Sequence, residues 1–125
     1  RTLLSRFGIS ASRQIPLGSL SGGTIQKLIL ARELEQPTPG CIIAEPFAGL
    51  DIPSQKMLVD MLREIAVNGS AVLVLSSTVE SVMAVADDIF VLADGELRGP
   101  YPPHATAEIN RAVAGLNVES VRGAP

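Results

Sequence analysis

Residues 40–77, GCIIAEPFAGLDIPSQKMLVDMLREIAVNGSAVLVLSS, decide the fold. CIIA at 41–44 is a short unbroken apolar run, the pattern of a strand buried in a parallel sheet. Pro53 suits the first turn of a helix, and Met57, Leu58, Met61, Leu62 and Ile65 recur at helical spacing until Gly69 supplies a stop. AVLVL at 71–75 is a second buried strand. Strand, helix, strand in this order predicts parallel pairing through a right-handed crossover.

Working outward, the spacing predicts a helix over 24–34 with Ile25, Leu28, Ile29 and Ala31 near one stripe, Gln26, Lys27 and Glu33 elsewhere, and Ser21 as N-cap. Pro37, Pro39 and Gly40 end it. Residues 1–18, with Leu3, Leu4 and Phe7 followed by Gly8, Pro16 and Gly18, read as a short helix and a loop. Downstream, Ser77 or Thr78 caps a short helix carrying Val79, Val82, Met83 and Ala86. DIFVLADGEL at 88–97 reads as strand, Asp-Gly turn, strand, adding an antiparallel edge to the sheet. Gly99, Pro100, Pro102 and Pro103 connect to a last helix over 106–114, stopped by Gly115, and the residues after Val118 are expected to fray. The predicted class is α/β, a mostly parallel sheet with flanking helices and a C-terminal antiparallel hairpin.

Size and composition narrow the function. A chain of 125 residues builds one hydrophobic core, and 46% hydrophobic against 18% charged residues excludes wholesale disorder. Ten Lys and Arg against 13 Asp and Glu give a net charge of −3, which disfavours broad contact with a phosphate backbone. The aromatic residues, Phe7, Phe47, Phe90 and Tyr101, form neither an adenine platform nor a nucleic-acid stacking stripe. The apolar runs are shorter than the roughly 20 residues of a membrane-spanning helix. Cys41 stands alone, so no intrachain disulfide forms and a reducing compartment is expected. The chain opens at Arg1 without a signal-like segment, and a fragment of a longer protein is the expectation.

SLSGGTIQ at 19–26 places a hydroxyl residue and two glycines directly before a helix. Free N–H groups and the positive end of the helix dipole make an anion site there, with phosphate the natural ligand. The same residues also suit a plain Ser-capped helix after a glycine turn. Glu45 stands at the C-terminal edge of a strand, where ligands gather in open α/β sheets, and Asp51 is a good helix N-cap.

LSGGTIQ, then 14 residues, then CIIAEPFAGLD, then AVLVLSS about 20 residues on, resembles the second half of an ATP-binding-cassette (ABC) ATPase, a P-loop NTPase-like fold, over almost the whole chain. Leu20, Ser21, Gly22, Gly23 and Gln26 match the LSGGxxQ signature, which in the family contacts the γ-phosphate of ATP held by the opposite cassette. Glu45 matches the general base that activates water. Gly49, Leu50 and Asp51 match the D-loop that crosses the dimer interface. Two positions depart from the pattern. Ala44 stands where the family's Walker B Asp supports Mg²⁺, and a methyl group accepts no hydrogen bond from metal-bound water. Ser77 takes the place of the switch His that contacts the γ-phosphate and cannot supply its positive charge. His104, the single histidine, reads as a solvated connector residue.

The departures, with ILARELEQP, LSST and ADDIFVLADGEL, resemble the C-terminal cassette of simple-sugar or nucleoside importers. The resemblance implies a division into 1–35, the end of a helical subdomain with the signature, 36–98, from Walker B to the terminal hairpin, and 99–125, a C-terminal helix and tail. It implies ATP and Mg²⁺ as cofactors, held mainly by residues outside this chain, since no GxxxxGK[ST] occurs in it. No metal ligand is assigned here. Catalytic roles fall on Glu45 and Ser77; Leu20, Ser21, Gly22, Gly23, Gln26 and Asp51 are the nucleotide contacts. The implied partners are a second ABC cassette, transmembrane permease subunits and, indirectly, a solute-binding protein, with no nucleic acid and a peripheral place at the cytoplasmic face of the cell membrane. By itself the stretch is expected to be inactive in hydrolysis. Two alternatives stay open: a non-transport ABC ATPase, and a degenerate dimerisation or regulatory module without enzymatic activity.

Overall fold

The computed structural model describes residues 3–9, 16–36 and 38–116. The expected fraying beyond Val118 lies outside them. The chain divides into two compact units, one ending at Ser81 and one starting at Val82.

In the first unit, α1 (Leu3–Arg6) and a 3₁₀ turn (Leu17–Ser19) lead into α2 (Gly22–Leu34). The start of α2 lies two residues before the expected Thr24. Ser21 caps it, with Oγ accepting from the Thr24 N–H at 3.3 Å. Strand β1 (Gly40–Ala44) follows, then α3 (Ile52–Val67), capped by Asp51 with Oδ1 accepting from the Ser54 N–H at 2.8 Å. Gly69 N–H to Ala66 O and Ser70 N–H to Ile65 O, at 3.0 and 3.2 Å, close the end of α3 as a Schellman pair. The chain then enters β2 (Ala71–Leu75), parallel to β1 with Gly40 opposite Ala71 and Ala44 opposite Leu75.

Two details differ from the sequence expectation. The buried face of α2 carries Leu30, Ala31 and Leu34, while Ile29 of the expected stripe is 46% exposed. The strands are covered on one side only. Leu58, Met61 and Leu62 of α3 fill the core beneath them, but Ile42 on the other face is 72% exposed and Leu73 is 52% exposed. Period-2 alternation puts Ile42 and Leu73 opposite Cys41, Ile43, Val72 and Val74, so a single helix layer cannot cover both sets.

Helix α4 (Val79–Val85) carries the chain into the second unit. There β3 (Ile89–Ala93) and β4 (Glu96–Tyr101) pair antiparallel around Asp94 and Gly95, whose φ values of 51° and 78° are those of a type I′ turn. Helix α5 (Thr106–Val113) packs on this hairpin and buries Ile109 and Ala112 with Ile89 and Val91. The hairpin was expected as an edge of the parallel sheet. It forms a two-stranded sheet of its own, in which β3 and β4 pair with each other among the described residues.

Candidate functional site

The register of β1 and β2 brings the ends of both strands together. Ala44 lies opposite Leu75, so Glu45 leaves the sheet beside Ser76 and Ser77. The Glu45 N–H makes a last rung to Leu75 O at 2.7 Å, after which Glu45 adopts a φ of 47° and turns the chain. That region is sparsely populated by residues with a side chain, and the surrounding bonds must hold it. The Glu45 carboxylate accepts from the Ser77 N–H at 2.7 Å and from the Ser76 hydroxyl at 3.1 Å. Ser76 Oγ accepts in turn from the Thr78 N–H at 3.2 Å, which orients its proton toward Glu45. The Ser77 N–H first and then the Ser77 hydroxyl hold the Glu45 carboxyl below its ordinary value against desolvation, with the Ser76 hydroxyl adding least. Glu45 is therefore ionised at neutral pH, an acceptor able to orient a water.

The first turn of α2 approaches this corner from the other side. Gly23 backs onto the loop after β1: a Cβ there would sit 2.5 Å from the Gly49 carbonyl oxygen, while a Cβ on Gly22 would meet nothing within 4 Å. The two glycines thus serve different ends, Gly23 for close backbone packing and Gly22 for an open approach. Their N–H groups, like those of any first helical turn, have no acceptor within the helix. One turn on, the Gln26 amide lies 3.5 Å from both the Glu45 and Pro46 carbonyls. Lys27 Nζ pairs with Asp51 Oδ2 at 3.0 Å. Asp51 thereby caps α3 and holds α2 at once. Its carboxyl is lowered to about 2, chiefly by the Ser54 hydroxyl and N–H and then by Lys27.

Of the residues singled out in the sequence, Gly23, Gln26, Glu45, Asp51 and Ser77 meet at this corner. Ser21 and Gly22 form its exposed rim, and Leu20 is half-buried beside the Ser21 cap. Ala44 presents only a methyl group, and His104 is exposed on its connector. Lys27 and Ser76 were not singled out. Lys27 stands at i+4 from Gly23, on the face that must meet the loop, and that spacing is the signal that marks it.

At this rim the first-turn N–H groups of α2 are the kind of donor an anion takes at a helix N-terminus. No metal cage is assembled, since among the described residues no group of three His, Cys, Asp or Glu side chains converges. A cavity of about 450 Å³, lined by Thr38, Cys41, Met61 and Ser70 among others, opens at the opposite end of the same strands. None of Ser21, Gly22, Gly23, Gln26, Glu45, Asp51 and Ser77 lines it.

No family model matches the chain. It is 35% identical over 102 residues to the xylose import ATP-binding protein XylG of Burkholderia ambifaria, covering 81% of this chain and 20% of that protein. It is 32% identical over 121 residues to the nucleoside import ATP-binding protein NupA of Lactococcus lactis, covering 94% of this chain and 24% of that protein. The chain spans about a fifth to a quarter of the length of these curated relatives. Among solved structures, the ADP conformation of an ATP-binding cassette of an ABC transporter superposes with a TM-score of 0.64 at 20% identity, over 90% of this chain and 43% of that one. At that identity the likeness speaks for the fold alone. In sequence the chain is similar to part of the sugar and nucleoside import ATP-binding proteins of ABC transporters, and in fold it is similar to an ABC ATP-binding cassette.

Proposed function

We propose that the chain is the signature-bearing portion of an ATP-binding component of a simple-sugar or nucleoside importer. Ser21, Gly22 and Gly23, flanked by Leu20, face the γ-phosphate of ATP held by a second cassette. Gln26 and Asp51 tie that turn to Glu45, which orients water in the chain's own half-site. Ser77 acts there through its N–H on the Glu45 carboxylate, in place of an imidazole on the phosphate. ATP and Mg²⁺ are gripped mainly by residues beyond these 125. Bound metal would supply charge stabilisation for phosphoryl transfer, and with Ala44 in the metal-supporting position that half-site turns over slowly. Permease subunits place the protein peripherally at the cytoplasmic face of the membrane, with a solute-binding protein acting through them.

The observation that carries this reading is the contact of Gly23 with Gly49 beside Glu45, which joins the three matched motifs at one corner. The test pairs the chain, within its longer natural polypeptide, with an active cassette and follows phosphate release. Ser21→Arg and Gly22→Asp place bulk or negative charge where phosphate must sit and should abolish hydrolysis at the partner's site. Glu45→Gln should lower the total only modestly. Wild-type turnover in both signature variants would exclude the phosphate role, and complete loss with Glu45→Gln would exclude the slow half-site.

A further inference from the structure

We infer that Lys27 is a positioning residue: its ion pair with Asp51 clamps the first turns of α2 to the loop over 45–51, so that the signature turn and Glu45 move as one piece. The inference rests on the phosphate reading for its functional meaning, but its geometry stands apart from it. Three contacts on one face of α2 reach the same short loop. Gly23 meets Gly49, Gln26 reaches the Glu45 and Pro46 carbonyls, and Lys27 reaches Asp51. They occupy positions i, i+3 and i+4, which share a helix face. The first is a steric stop and the second a pair of long bonds at 3.5 Å, so neither resists separation strongly. Lys27 is different. Its side chain is only 17% exposed, and its ammonium is 3.0 Å from a carboxylate that also fixes the start of α3.

Asp51 is thus the junction of three elements. Its Oδ1 binds the α3 start, its Oδ2 binds α2, and its backbone follows Gly49 and Leu50 from Glu45. A shift of the signature turn toward or away from a ligand pulls the loop through Lys27 and displaces the Glu45 backbone. Without the pair, α2 is left with the weak contacts, and the two halves of the corner move separately.

The test is a double-mutant cycle on the 125-residue chain, read by amide hydrogen exchange and requiring no activity. Lys27→Met keeps the stem and removes the charge, with Lys27→Gln used where the Met variant does not fold. Asp51→Asn keeps an N-cap oxygen for α3 and removes the charge that Lys27 needs. Exchange is followed at Ile25 for α2, at Ala48 and Leu50 for the loop, and at Leu62 as the reference within α3. Each single variant should speed exchange at Ile25, Ala48 and Leu50 together by about two- to fivefold relative to Leu62, the range of a partly exposed ion pair. The double variant should add nothing further, and Lys27→Arg should retain wild-type protection. Acceleration at α2 alone, additive single effects, or an equal change at Leu62 would each overturn the clamp. Adding inorganic pyrophosphate to the same samples tests the phosphate reading separately. Unmoved Gly22 and Gly23 amide signals would refute that reading, while the ligand-free exchange still decides for or against Lys27.

Discussion

Two adjacent glycines in one helical turn should respond oppositely to the same methyl group. A Cβ on Gly23 would lie 2.5 Å from the Gly49 carbonyl oxygen, closer than the 3.0 Å that real contacts respect, so two backbone segments must separate by about half an ångström. Neither is the yielding end of a side chain. Overpacking of this kind costs about 1–3 kcal/mol. Alanine returns up to about 1 kcal/mol through its helix propensity, but it does so at both positions. Gly22→Ala meets nothing within 4 Å and keeps that gain. The difference between the two variants therefore isolates the clash, and Gly23→Ala should be about 1–3 kcal/mol less stable than Gly22→Ala. Urea unfolding, fitted with a common slope, measures it directly. Equal stabilities, or a more stable Gly23→Ala, would refute the close packing of α2 on the loop after β1.

Leu58 is fully buried under the strands, and Leu58→Ala should cost about 2–5 kcal/mol, visible as a lower urea midpoint; a loss below about 1 kcal/mol would contradict α3 as the core anchor. The Asp51 carboxyl, held at about 2 against an ordinary value of roughly 3.9, contributes stability that is full above the ordinary range and lost as pH falls toward 2. The Asp51→Asn variant should therefore lose part of the acid dependence between about pH 4 and 2, and an unchanged profile would count against the cap and the ion pair. Burial pushes the Cys41 thiol up, so alkylation at neutral pH should be slower in the folded chain than in urea; equal rates would contradict its place beside α3.

The alternation of strand and helix was legible because residues 41–44 and 71–75 are short apolar runs flanking a strongly periodic helix. The two caps were legible because Ser21 and Asp51 stand directly before periodic segments and have the oxygens that first-turn N–H groups need. The stripe of α2 holds at Ala31 but fails at Ile29, for a specific reason. Its inward face runs through Gly23, Lys27, Leu30 and Leu34, and a count of apolar residues skips a glycine and a lysine. Lys27 faces inward because Asp51, 24 residues away, supplies its counter-charge; the i+4 spacing from Gly23 puts Lys27 on that face but does not name its partner. The one-sided cover of β1 and β2 was hidden likewise, since a strand reads as apolar whether one face is covered or both. Glu45 was found by its place after a strand, but its grip by Ser76 and Ser77 depends on strand register.

In the proposed function, the Ser21–Gly22–Gly23 turn completes an ATP site on another cassette. Sedimentation of the 125-residue chain with an ABC cassette that carries GxxxxGK[ST], and whose own catalytic carboxylate is replaced by glutamine so that ATP persists, tests it most directly. A one-to-one complex should form with ATP, be absent with ADP, and be lost in Gly22→Asp. Association that is equal with ATP, with ADP and without nucleotide, or that survives Gly22→Asp, would contradict it.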